Sequence, residues 1–214
     1  MSNDETLIFF NSIIKDQEFN EYSVKMAKDQ DYSCVDANFI MQYSTDDSEV
    51  LDLGSGTGLI VNKLFSHVKR IVCVELYTGF TDYIIKDKKI EINNINIFDF
   101  TTNDRFDLVT AFGIMHYFNK EEALEVYSKY KFFLKDAGYF IIKNQFGLQE
   151  TITIENRVLS DTNMVGYYSQ YRSINSEIEI LRQVGFQKVQ VVDIYPPFAN
   201  KWSNTHYYAL VCQN

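Results

Sequence analysis

The chain is short of cysteine, proline, histidine and positive charge. Its 214 residues include three cysteines, two prolines and three histidines. Cys34, Cys73 and Cys212 lie far apart, with no C-x-x-C pair and no histidine at metal-ligand spacing. Such usage points to three reduced thiols in a cytoplasmic protein that holds no metal. Two prolines leave no material for a Pro-rich linker. Lys and Arg total 20 against 29 Asp and Glu, a formal net charge of −9, and no dense basic run occurs. That balance argues against nucleic acid as a partner, which calls for a basic face. No segment approaches the roughly 20 apolar residues of a membrane span. The opening "MSNDETLIFF" lacks both the basic start and the long apolar run of a signal peptide.

Aromatics, in contrast, are abundant: 15 Tyr and 17 Phe. Many must be core, while tyrosine can also line a pocket with a flat apolar face and a polar tip. The length suits one domain, 1–214, with enough chain for a substantial core. Residues 1–44 read as a helical, polar-aromatic cover. Strand and helix patterns then alternate. "EVLDLG", "RIVCVEL", "KIEINNINI", "RFDLVTAFGI", "GYFIIKNQF", "QKVQVVDIY" and "HYYALVCQ" read as strands. "GLIVNKLFSHV", "TGFTDYIIKDK", "NKEEALEVYSKYKFFLK" and "SEIEILRQVGF" read as helices, the third with Ala123, Leu124, Tyr127, Tyr130 and Leu134 at helical spacing. Alternation of this kind predicts an α/β fold: a doubly wound, mostly parallel sheet with helices on both faces. The last two strands are joined without a helix, so the final strand should run antiparallel. Residues 145–172 break the alternation and read as an insertion or lid.

The turn after the first strand carries Gly54, Gly56 and Gly58. Ligands of open parallel sheets bind outside the carboxyl ends of the strands. Glycine there permits positive φ and close approach to the backbone. The spacing is G-x-G-x-G, with Leu59 where a dinucleotide fingerprint needs its third glycine. The Gly-Lys-Ser/Thr of a P-loop is also missing. Glu75 ends the second strand, 21 residues after Gly54, where a carboxylate can accept from both hydroxyls of a ribose. Together these features favour a nucleoside ligand without a pyrophosphate.

"VLDLGSGTG" resembles the first motif of the class I S-adenosylmethionine-dependent methyltransferases. "IVCVEL" is similar to their second motif, "INIFDF" to the segment that packs on adenine, and "RFDLVTAFGIMHYF" to their fourth-strand motif. "FFLKDAGYFII" resembles the helix–strand unit that follows. The likeness spans roughly 48–145, with the usual last helix and two strands at 173–213. It implies a seven-stranded sheet with the last strand antiparallel, and S-adenosyl-L-methionine as cofactor. It also implies site residues. Gly54, Ser55 and Gly56 would face the methionine and ribose, Asp52 would steady the loop or the ammonium, and Glu75 would take the ribose hydroxyls with Leu76 beside it. Asn96 stands where the family often has Asp; its carbonyl oxygen can still accept from the adenine amino group. Asp99 is either its substitute or a turn residue. Ile97, Phe98 and Phe112 would complete the cofactor contacts.

Methyl transfer from a sulfonium requires an in-line nucleophile and exclusion of water, plus a base when the nucleophile carries a proton. Of His67, His116 and His206, only His116 follows the fourth strand, where the resemblance places the methyl group. It is the expected base or acceptor ligand. The covers should choose a small-molecule acceptor: Tyr22, Lys25 and Tyr32 in the first, and Tyr167, Tyr168, Tyr171 and Arg172 in the second. Arg172 is expected to pair with an anionic group of the acceptor. Size and motif layout resemble bacterial enzymes that decorate capsule, sugar-nucleotide or phosphorylated intermediates. O- and N-transfer both stay open, as does a homodimer. Two rivals remain: a cofactor-binding protein without catalysis, and a nicotinamide-dependent oxidoreductase.

Overall fold

The computed structural model describes residues 2–24, 31–159, 164–200 and 202–213. Lys25 lies outside them, as does the side chain of Tyr167. The strands in chain order are β1 (Glu49–Leu53), β2 (Arg70–Val74), β3 (Ile90–Asn93), β4 (Phe106–Phe112), β5 (Leu134–Gly147), β6 (Ile152–Leu159), β7 (Met164–Tyr171), β8 (Lys188–Asp193) and β9 (Thr205–Gln213). Seven of them make one sheet in the order β3-β2-β1-β4-β5-β9-β8, and β6 and β7 pair separately as an antiparallel hairpin. β1 to β5 run parallel, whereas β9 is antiparallel to both of its neighbours. The reversal follows from the short link before β9, which holds only a 3₁₀ turn, Pro197–Ala199, and no crossover α-helix.

Strand side chains alternate between the two faces, and each face has its own core. Val50, Ile71, Leu108 and Ile141 pack with α2 (Ser33–Met41) and α3 (Val61–Leu64). Leu51, Val72, Val109 and Phe140 pack on the other face with α5 (Lys120–Phe132) and α6 (Ile174–Gln183). A helix α1 (Ser2–Ile14) lies over a third apolar cluster, where Phe9 and Ile13 meet Phe80 and Tyr171.

α5 starts where the pattern predicts, at a capping box in which Asn119 and Glu122 exchange side chain-to-backbone bonds of 2.9 and 2.8 Å. Two expected helices are much shorter. Residues 58–68 hold α3 and a 3₁₀ turn, Phe65–His67, and α4 spans only Thr78–Thr81. The Asn62 side chain accounts for part of this. It donates to the Tyr83 carbonyl (3.0 Å) and accepts from the Ile85 amide (2.8 Å), tying the chain into a turn that hydrophobic spacing does not register.

Residues 145–147 belong to β5, which is 14 residues long, and the hairpin follows. Arg172 stands just past β7, buried with Glu177, with 3% and 0% exposure. Its guanidinium pairs with the Glu177 carboxylate and donates to the carbonyls of Phe118 and Met115. The Tyr127 hydroxyl donates to the same carboxylate. Burial and that neighbouring charge hold the Tyr127 hydroxyl well above the usual phenol range. The network joins the hairpin to α5, α6 and the turn after β4. It also corrects the expectation for Arg172: these donors are satisfied inside the protein, so Arg172 is not the anion partner of a ligand.

Arg172→Ala would strand the Glu177 carboxylate in the core. The expected cost is about 3–5 kcal/mol, read as a fall in the urea unfolding midpoint.

Candidate active site

The strand order reverses between β1 and β4, and the crevice opens there. The Gly54 amide continues the β1–β2 ladder by donating to Val74 O at 2.8 Å, and the chain then turns with φ of +68° at Gly54 and +53° at Gly56. A Cβ on Gly54 would collide with the Ile114 side chain, whereas one on Gly56 would meet nothing nearer than Val24 at 3.8 Å. Gly54 is therefore required by both space and torsion, and Gly56 by torsion.

Beside this loop lies a cavity of about 350 Å³. Glu75, 7% exposed, reaches under the loop, where one carboxylate oxygen accepts from the Gly56 amide (2.9 Å) and the other from the Tyr77 amide (3.0 Å). Burial raises its pKa, partly offset by those amides. Asp52 is buried and accepts from the Thr110 hydroxyl at 2.7 Å. Burial pushes its pKa up to about 6, against the lowering effect of the Thr110 and Ser55 hydroxyls. Both carboxylates line the cavity together with Gly54, Ser55, Gly56 and Leu76.

Farther along the wall come Asn96, Ile97 and Phe112. The Asn96 side-chain oxygen accepts the Phe98 amide at 3.0 Å, and the Ile97 carbonyl accepts the Tyr130 hydroxyl at 2.8 Å. Phe98 does not line the cavity; its ring packs edge-on against Phe118 at 5.4 Å, and its amide is already used by Asn96. Asp99 is exposed, its amide closing a turn onto Asn96 O.

His116 sits on a 3₁₀ turn, Met115–Tyr117, and lines the cavity. Its Nδ1 is 3.4 Å from Asn144 Oδ1, and its ring stacks on Tyr171 with 5.5 Å between centroids. Tyr32 and Tyr171 also line the cavity. Tyr22 and Tyr168 do not, the first being 37% exposed and the second buried elsewhere. His206 is engaged by Asp193 (2.7 Å) and Asn200, away from the cavity.

Several lining residues escaped sequence reasoning: Asp36 on α2, Lys143 and Gln145 on β5, and Tyr195 and Tyr207 around β8 and β9. One signal was legible, a run of three polar residues, Lys143, Asn144 and Gln145, inside the strand "GYFIIKNQF". Leu7 and Phe10 of α1 form part of the cover.

A doubly wound sheet with a glycine turn after β1 and an acid at the end of β2 is the fold that the methyltransferase-like motifs of the sequence lead one to expect. Residues 50–138 match the family model of a methyltransferase domain. No curated protein matches the chain. Among solved structures, the chain is similar to the N-methyltransferase NodS from Bradyrhizobium japonicum WM9, in complex with S-adenosyl-L-homocysteine. The identity is 13%, the TM-score 0.67, and the coverage 99% of this chain and 98% of that one. A second is 1,6-didemethyltoxoflavin-N1-methyltransferase from Burkholderia thailandensis, at 14% identity, TM-score 0.72 and coverage of 100% and 90%. A third is DhpI in complex with SAM and HEP, at 13% identity, TM-score 0.71 and coverage of 99% and 97%. At these identities the likeness is one of fold.

Gly54→Ala forces a left-handed alanine against Ile114 and is expected to cost about 1–3 kcal/mol. The double variant with Ile114→Ala should recover the steric part but not the torsional part, as measured by thermal unfolding.

Proposed function

We propose that this protein transfers a methyl group from S-adenosyl-L-methionine to an oxygen or nitrogen of a small molecule. The observation that carries the reading is the Glu75 carboxylate. It is buried at the edge of the cavity and held by two backbone amides, so its remaining lone pairs are aimed for a vicinal diol. The loop that supplies one of those amides is bare of side chains at Gly54 and Gly56, which lets a ribose and a methionine chain lie on the backbone. Asp52 sits deeper and offers a carboxylate for the methionine ammonium. Asn96 and Ile97 offer a polar edge and an apolar contact for adenine. The Ile97 amide donates to no acceptor among the described residues and suits a ring nitrogen.

The sulfonium is already activated, so the protein's task is to align the nucleophile and exclude water. α1 helps with the second through Leu7 and Phe10. His116 lines the cavity and stacks on Tyr171, which supports reading it as the group that would accept a proton from the attacking atom. That the Burkholderia enzyme is described with 1,6-didemethyltoxoflavin bound supports a small acceptor without deciding which atom is methylated.

Calorimetry with S-adenosylmethionine and S-adenosylhomocysteine tests the donor, and transfer of labelled methyl to candidate acceptors tests the reaction. Absence of heat with both ligands would overturn the reading. Heat without transfer to any acceptor would favour a non-catalytic binder, and tighter binding of a nicotinamide dinucleotide would favour an oxidoreductase.

Donor affinity should depend on pH. An arriving ammonium favours the ionised form of Asp52, whose pKa burial pushes up to about 6. Protonation competes with binding, so affinity should fall about tenfold from pH 7 to pH 5. Glu75, raised in the same direction by burial, adds to the fall. In Asp52→Asn the slope should flatten. His116→Ala should lower turnover about 100-fold or more while leaving calorimetric donor affinity within about twofold of wild type; equal turnover would remove His116 from the chemistry.

A further inference from the structure

Lys143 is a charged residue on a central strand, 9% exposed, and it is the one lysine or arginine lining the described cavity. Its ammonium lies 3.1 Å from Asp36 Oδ2 and 3.1 Å from the Tyr195 hydroxyl oxygen, and the Tyr195 hydroxyl itself donates to Asp36 Oδ1 at 2.6 Å. Three distant parts of the chain meet here: α2, β5 and the segment after β8. Both oxygens of Asp36 are thereby occupied. The ammonium donates to the Tyr195 hydroxyl and is ion-paired with Asp36, and it has no other acceptor among the described residues. The faces of Phe112, Tyr195 and Tyr207 stand 5.5, 5.0 and 5.8 Å from the nitrogen.

A buried ion pair contributes little net stability over a well-packed apolar replacement. Its place at a cavity wall therefore favours a binding role. Aromatic rings cluster near this lysine in the lining: Tyr32 lies 4.4 Å from Tyr195 between ring centroids, and His116 and Tyr171 present nearly parallel rings. A cationic acceptor would meet the ammonium head-on, and an aliphatic one would leave the ring faces unused.

We propose that this end of the cavity selects a planar aromatic acceptor bearing an anionic oxygen. Lys143 donates to that oxygen, the ring lies among Tyr32, Tyr171 and Tyr207, and Asp36 and Tyr195 position the ammonium. The proposal rests on the methyl-transfer reading and deepens it by naming the acceptor class. It also assigns the anion contact to Lys143, the role that Arg172 does not fill.

The test uses protein saturated with S-adenosylhomocysteine and three probes: benzoate, benzylamine and acetate. Saturation-transfer NMR should show benzoate bound at least fivefold more tightly than the other two. In Lys143→Met, benzoate affinity should fall at least fivefold while S-adenosylhomocysteine affinity, by calorimetry, stays within twofold. Lys143→Met leaves Asp36 unpaired, so the double variant Asp36→Asn, Lys143→Gln is measured beside it; this keeps a hydrogen-bonded pair without charge and should lose benzoate equally. Benzylamine or acetate binding as well as benzoate, or benzoate binding unchanged in the neutral pair, overturns the proposal while the donor reading stands. Failure of S-adenosylhomocysteine to bind overturns the donor reading and this proposal with it.

Discussion

Two backbone amides, those of Gly56 and Tyr77, converge on the carboxylate of Glu75, and the geometry of the crevice depends on that convergence. The carboxylate sits at the end of β2 and one of the amides lies in the loop after β1, so the bonds lock two neighbouring strand ends together. A buried carboxylate is costly unless it is hydrogen-bonded. Here the backbone supplies one donor to each oxygen and leaves lone pairs for a ligand. The loop can deliver its amide because Gly54 and Gly56 adopt torsions that side chains disfavour. The same torsions leave a strip of bare backbone facing the cavity.

Two ion pairs show how surroundings decide the role of similar chemistry. Arg172 and Glu177 are buried away from the cavity, and the remaining Arg172 donors go to the carbonyls of Met115 and Phe118. Those carbonyls flank His116, so the pair fixes the turn on which the histidine rides. Lys143 and Asp36 are nearly as buried, yet their cluster opens onto the cavity, and beyond Asp36 and Tyr195 the ammonium has no acceptor among the described residues. The first pair organises the protein, and the second is available to a ligand.

The sheet was legible because short apolar runs are a local signal, repeated on seven strands with helical spacing between them. The antiparallel β9 was legible from the missing helix before it. The glycine-turn end of the cavity was legible for a related reason: Gly54, Gly56, Asp52 and Glu75 lie at or just beyond the ends of two strands close in the chain. The short α3 and α4 were not, because the Asn62 side chain, rather than hydrophobic period, sets the turn at 83–85. The β6–β7 hairpin was not recognised as such either; its tyrosines resembled a lid, and only one of the two described rings, Tyr171, lines the cavity while Tyr168 turns elsewhere.

By itself, then, the order of residues determined the fold class and the glycine turn and acidic strand end that line the crevice, since each depends on spacing within about 25 positions along the chain. The opposite end of the cavity was decided by tertiary structure. Asp36, Lys143, Tyr195 and Tyr207 share no motif and become neighbours only when α2 packs on the sheet and the antiparallel register sets Gln145 beside Tyr207 and Lys143 beside Ala209. The fate of Arg172 was decided in the same way: a charged residue in a tyrosine-rich segment looks like a ligand contact until a buried glutamate five residues away proves to be its partner. Contacts of that kind come from long-range packing, which no local pattern in the chain encodes.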